Sequence, residues 1–286
     1  MALKNALLVA LGIAGLVFVA SFVASLVTTR ERVRPTLYEV FVGAFTNFFD
    51  TLGIGSFAPT TTFYRARKTI DDRLIPGTLN VGHTIPTFAE AYIFIDKVTV
   101  DPRTLVAMIS AATLGAIFGA PVVAKMSRSR VQLGMGVALL VVCAILVWRQ
   151  IGLRQDGVLT GFDGTTFWFA VAMNFVFGAL MTIGVGLYAP CLVMVTLLGL
   201  NPKAGFPIMM GSCAFLQALG SIPFIRARSY APGASVGLSL GGVPAVLAAA
   251  FIVKDLPLYW VKWLVAVVVV YTAFMLLRAA RQKATS

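Results

Sequence analysis

Two stretches of this chain repeat glycines and a proline at matched spacing. They are Thr51-Leu-Gly53-Ile-Gly55-Ser56-Phe-Ala-Pro59 and, 131 residues later, Thr182-Ile-Gly184-Val-Gly186-Leu-Tyr-Ala-Pro190. Both interrupt long apolar runs. Glycine permits positive φ and close backbone approach, and proline suits the first turn of a helix that restarts after a break. Amides freed at such a restart carry the positive end of the helix dipole, and lipid offers them no partner. Two restarts of this kind would hold an anion on backbone N–H groups without any buried Arg or Lys. The expected substrate-binding residues are therefore Thr51, Gly53, Gly55, Ser56, Pro59, Thr182, Gly184, Gly186 and Pro190.

A second set lies on one helix face. Asn80, His83, Thr87 and Glu90 fall at i, i+3, i+7 and i+10, a register that Pro86 distorts without abolishing. An ionisable group at the centre of a bilayer helix costs ~2.5–3.5 kcal/mol on insertion scales, so it faces a pathway or a partner. Asn80 and His83 join the expected binding set, and Asp50, His83 and Glu90 are the expected proton-coupling groups. A His83–Glu90 pair that only satisfies itself is the competing expectation. The positions 131 further on are Gly211, Ala214, Ala218 and Ser221, and Asp50 is matched by Met181. The titratable groups thus belong to one half.

The elements that must carry these residues are apolar. Of 286 residues 59% are hydrophobic and 12% charged, against about 25% charged in soluble domains. Mean hydropathy is +0.90 over the whole length. The net charge of +12 does not indicate a nucleic-acid partner, because the basic residues sit in short connections between apolar runs. One histidine and the dispersed Cys143, Cys191 and Cys213 make no metal site, and no cofactor is expected. There is no phosphate-binding GxxxxGK[ST] loop, no HExxH and no GxSxG, and the chain is not expected to be an enzyme.

Apolar segments long enough to span occur at 5–28, 35–68, 74–95, 104–124, 130–150, 166–200, 205–225, 233–253 and 258–280. As nine simple crossings with the N-terminus outside, Lys and Arg divide 12 inside to 11 outside. If 35–68 and 166–200 are re-entrant hairpins, they divide 15 to 8, in line with the excess of basic residues in cytoplasmic loops. The expected fold is an all-α polytopic membrane protein of two inverted repeats, with about seven transmembrane helices and two re-entrant helical hairpins, or nine spans if the hairpins cross. Residues 1–34 form a first helix and basic loop, 35–150 the first repeat, 151–165 a linker, and 166–286 the second repeat with a basic tail.

The duplicated glycine–proline motif, followed by Leu198-Gly-Leu-Asn-Pro-Lys-Ala204 and Met209-Met-Gly-Ser212, resembles the sulfite exporter TauE/SafE family of bacterial permeases. The resemblance covers both halves but not the first helix. It departs at Gly53-Ile-Gly55-Ser56, where many relatives carry a denser glycine cluster. It implies a secondary transporter that moves sulfite or a related organosulfur or sulfonate anion across the bacterial inner membrane, with the lipid bilayer as its surroundings. It adds Ser212 to the expected binding residues. The expected topology has the N-terminus outside and the C-terminus in the cytoplasm, with homo-oligomerisation left open. The alternatives are an intramembrane enzyme of lipid-phosphatase type and a cation transporter using Asp50 and Glu90.

Overall fold

A computed structural model describes residues 2–119, 122, 125, 127–151, 159–182, 186–255 and 257–282. Gly184, residues 152–158 of the expected linker and the last residues of the basic tail lie outside the described residues. The described residues form eleven α-helices and no strand. These are α1 (Ala2–Thr28), α2 (Leu37–Thr51), α3 (Phe57–Arg67), α4 (Ile75–Lys97), α5 (Pro102–Leu114), α6 (Arg128–Ile151), α7 (Gly164–Met181), α8 (Tyr188–Leu197), α9 (Pro202–Arg226), α10 (Pro232–Asp255) and α11 (Leu258–Gln282). A π-helical turn, Gly115–Gly119, extends α5.

Six helical stretches are long and apolar enough to cross a membrane: Ala2–Thr28, Pro102–Gly119, Gly164–Met181, Pro202–Arg226, Pro232–Ile252 and Tyr259–Arg281. The chain is an all-α protein of multi-pass character. Five of these stretches coincide with expected crossings, and the sixth, α7, is the first arm of the second expected hairpin. Helix α4 has the length but not the apolarity, since Thr78, His83, Thr84, Thr87 and Glu90 are all buried along it.

Both glycine–proline stretches break their helices. The first segment stops at Thr51 and restarts at Phe57, so 35–68 is not one continuous helix. Its two arms fold back on each other. The Tyr38 hydroxyl, at the start of α2, donates to the Phe63 carbonyl near the end of α3 at 2.8 Å. The Arg67 guanidinium lies 4.4 Å from the centre of the Tyr38 ring, and Phe45 meets Phe63 edge-on at 5.5 Å. Helix α2 begins in a capping box: Thr36 Oγ1 accepts from the Glu39 amide, and Glu39 returns a carboxylate oxygen to the Thr36 amide. At 15 and 11 residues the arms reach about 22 and 16 Å, each short of a bilayer core of about 30 Å.

The second segment closes in the same way by different bonds. Leu159, ahead of α7, pairs with Leu200, beyond α8, in a short parallel bridge. The Asn201 amide donates to the Leu159 carbonyl at 2.9 Å. Each segment therefore begins and ends at one place. The helices after the two breaks start at the motif's own 131-residue offset, α3 at Phe57 and α8 at Tyr188. Lys68 and Gly199, just past α3 and α8, both hold positive φ, at 50° and 93°.

The chain divides into two compact units. Unit 1 comprises Met1–Phe94 and Cys213–Lys254, and unit 2 comprises Ile95–Ser212 and Asp255–Ser286. The division does not follow the expected repeats, because hairpin 1 packs with α10, and α7 packs with α5. In unit 1 the core is Val42, Tyr64, Ile75, Leu79, Ala234 and Leu238, where hairpin 1 and α4 meet α10. Gly43 sits against the Leu238 backbone, and Gly241 against the Val40 carbonyl. In unit 2 Gly178 of α7 sits on the Ala112 carbonyl, and Gly115 on that of Phe175. Backbones approach this closely in lipid where small residues allow it.

Candidate functional site

The first break sits beside a buried polar cluster in unit 1. Asp50 and Thr51 end α2, and Gly53 and Gly55 turn the chain at φ 93° and 87°. L side chains rarely take those angles, so alanine at either position costs about 1–3 kcal/mol of strain. At Gly55 space is not the constraint, since nothing lies within 4 Å of an added Cβ. Helix α3 then starts at Phe57 with Pro59 in its first turn, and Ser56 makes no side-chain capping bond to it. The Ser56 hydroxyl donates instead to Asp50 Oδ2 at 2.8 Å. The protein's own carboxyl group thus stands at the start of α3.

Helix α4 supplies the other ionisable groups. His83 Nδ1 lies 2.9 Å from Asn47 Oδ1, and Nε2 lies 3.0 Å from Thr60 Oγ1. The imidazole also lies tilted at 31° against the Phe57 ring, with centroids 5.8 Å apart. Glu90 Oε1 accepts from the Thr51 hydroxyl at 2.8 Å. His83 therefore bonds Asn47 and Thr60 rather than Glu90, and the self-satisfying pair is not formed. Further along α4 the Thr87 hydroxyl donates to Gln217 Oε1 at 3.1 Å, and Thr84 meets the Ser221 hydroxyl at 3.2 Å. All of these polar side chains are buried.

Not every expected residue joins this cluster. Asn80 is only half-buried, and its amide donates to the Pro76 carbonyl of its own helix. In unit 2, Thr182 caps the end of α7, with its hydroxyl on the Ala179 carbonyl. Gly186 is exposed, has no positive φ, and faces open space on its Cβ side. The positive-φ requirement expected of both breaks therefore holds at the described glycines of the first and not at Gly186. Helix α8 starts at Tyr188 after Leu187, which makes no side-chain cap, and buries Pro190 in its first turn. No carboxylate stands in the place of Asp50 there, because that position is Met181. Ser212 is buried on α9, donates to the Ile208 carbonyl and accepts from Asn174 Nδ2 at 3.3 Å.

Asn47, Thr60, Thr84, Gln217, Ser221 and Asn174 were not foreseen from the sequence. Gln217 had a visible signal: it is an amide inside an apolar helix, one residue from the aligned Ala218. Among the described residues no three His, Cys, Asp or Glu side chains converge as a metal site would need. Outside the helices, hydrogen bonds from Arg73 hold the Asp71 carboxyl down to about 2, so Asp71 stays ionised and adds no pH dependence near neutrality. No family model, curated protein or solved structure matches this chain.

Proposed function

We propose that this chain is a secondary transporter of a small oxyanion, of the class of sulfite or an organosulfur or sulfonate anion, across the bacterial inner membrane. One observation carries the reading. Two helices, α3 and α8, each begin after a helix break in mid-segment, with no side-chain cap on their first amides. Such amides attract negative charge. This geometry supports the charge class of the substrate, and the resemblance of the motifs alone supports sulfur. Asp50, His83 and Glu90 supply the means of linking transport to protons, since all three are buried beside the first break. Two inverted repeats with re-entrant hairpins, the N-terminus outside and the C-terminus in the cytoplasm, are the topology that fits the charge distribution.

The direct test is binding and proteoliposome flux with sulfite, sulfate, thiosulfate, sulfoacetate, taurine and chloride. Saturable flux of at least one sulfur oxyanion is expected, and flux of none of them removes the reading. The hairpin topology has its own test. Single cysteines at Thr36 and Lys68, which flank hairpin 1, should react with an impermeant thiol reagent from the same side of sealed vesicles. Reaction from opposite sides would show that the segment crosses. The native cysteines are buried and interfere little.

A cation transporter is the second reading, favoured by one observation. The buried Asn174 Oδ1 has no hydrogen-bond partner, and an unpartnered acceptor suits a cation or a donor rather than an anion. A lipid-phosphatase chemistry has less to draw on, since neither break contains an arginine.

A further inference from the structure

Hydrogen-bond counting around His83 and Glu90 leaves two hydroxyls with a choice. A threonine hydroxyl has one hydrogen to give. Thr60 Oγ1 lies 2.8 Å from the Ser56 carbonyl, one turn back, and 3.0 Å from His83 Nε2. Thr51 Oγ1 lies 2.9 Å from the Asn47 carbonyl, also one turn back, and 2.8 Å from Glu90 Oε1. Neither hydroxyl can donate to both acceptors at once.

The His83 ring has one nitrogen whose role is settled. Asn47 Nδ2 donates to the Gly43 carbonyl at 2.7 Å, which orients the amide so that Oδ1 faces the ring. His83 Nδ1 must therefore carry a hydrogen. All exchange of protons is left to Nε2. When Nε2 is bare, Thr60 donates to it. When Nε2 is protonated, it donates to Thr60 Oγ1, and the Thr60 hydroxyl turns to the Ser56 carbonyl. Glu90 works alike: a protonated Oε1 donates to Thr51 Oγ1, which is then free to bond the Asn47 carbonyl. An ionised Glu90 takes the Thr51 hydrogen and leaves that carbonyl without it.

We propose that Thr51 and Thr60 are two-position donors that transmit the protonation of Glu90 and His83 to the two helix ends bounding the Leu52–Ser56 break. Thr51 is the last residue of α2, and Thr60 lies in the first turn of α3. A proton taken up on α4 thus re-bonds both lips of the break without any residue moving far. The proton comes from water and returns to it, and no other bond is made or broken. Around the two groups, α2 adds Asp50, α3 adds Ser56 and Thr60, α9 adds Gln217 and Ser221, and α10 adds Ser239 on the Gly82 carbonyl. Of the side chains just named, Asp50 is the ionisable one. The inference deepens the proton-linked transport proposed above, and its test needs no substrate.

His83 is the sole histidine of the chain, so isotopically labelled histidine gives one ring and two nitrogen resonances in purified protein without a histidine tag. Wild-type protein is expected to show a hydrogen on Nδ1 throughout. Thr60→Val should move the Nε2 resonance to that of an unbonded nitrogen, and Thr60→Ser should restore it. Amide deuterium exchange at Leu52–Ser56, divided by its intrinsic rate, should step by roughly fivefold with pH, as the gain or loss of one hydrogen bond allows. That step should vanish in Glu90→Gln and Thr51→Val and survive in Thr51→Ser. A hydrogen on Nε2 but not Nδ1, an Nε2 resonance indifferent to Thr60→Val, or the same exchange step in Glu90→Gln would each overturn the proposal. Absence of sulfite flux would leave these measurements unaffected and would count against the transport reading alone.

Discussion

Gly178→Leu is expected to leave almost no folded protein in detergent extracts, whereas Gly186→Leu should leave the wild-type yield. At Gly178 an added Cβ falls on the Ala112 carbonyl, inside the crossing of α7 with α5. The obstacle is backbone, which cannot rotate away as a side-chain end can. Overpacking a core costs about 1–3 kcal/mol and occasionally more, and a backbone obstacle places this variant at the upper end. Gly186 has open space and no positive φ, so a side chain there is accommodated. Size-exclusion profiles and thermal midpoints in detergent measure the difference. Equal midpoints for the two variants would mean that the α5–α7 crossing is not the close approach described. If Gly186→Leu folds but loses sulfite flux, the second break lies on the substrate route.

Asp50→Asn is expected to strengthen anion binding at alkaline pH by about tenfold or more and to flatten its pH dependence. The Asp50 carboxyl already stands at the start of α3, bonded by the Ser56 hydroxyl. Ionised, it competes with a substrate anion for the same positive helix end. Protonated, it does not. Wild-type binding should therefore weaken as pH rises. A like charge within ~4–6 Å shifts an equilibrium by 1–3 decades, which sets the tenfold expectation. The asparagine carbonyl can still accept from Ser56 and carries no charge, so folding should be preserved. Sulfite binding across pH, on wild type and Asp50→Asn, decides the matter. Parallel pH profiles would reject competition at the first break. A variant that binds anion as before but loses flux of a cation would favour the second reading.

Much of the frame was legible because it is written in periods and offsets. The matched glycines and prolines marked both helix breaks, and the i, i+3, i+7, i+10 spacing put His83 and Glu90 on one buried face. Their partners were less accessible to sequence reasoning. Asn47 and Thr60 reach His83 only because α2 and α3 fold into a hairpin, and a helical period describes one element at a time. Gln217 and Ser221 come from the other half, at positions where alignment of the repeats directs attention to Ala218 and to a lone serine. Asn80 shows the opposite error. It has the right spacing, but it lies near the start of α4 and turns its amide onto its own helix. The difference between the breaks, positive φ at Gly55 and not at Gly186, falls at a glycine that both motifs share.

The long-range bonds within unit 1 also set an order of assembly. Thr84 and Thr87 wait for Ser221 and Gln217, 137 and 130 residues downstream. The carbonyls of Thr78 and Gly82 receive Ser235 and Ser239, each 157 residues later. At a synthesis rate of about 5–20 residues per second, α4 emerges roughly 7–30 seconds before those partners exist. During that interval His83 and Glu90 already have Asn47, Thr60 and Thr51 to bond. Thr84 and Thr87 lack their later partners, and a helix with unmatched polar groups is poorly retained by lipid alone. The seating of α4 is therefore completed only when α9 and α10 arrive. Ribosome pausing, codon choice and insertase supply over the last quarter of the message thus bear on whether the first hairpin is ever seated.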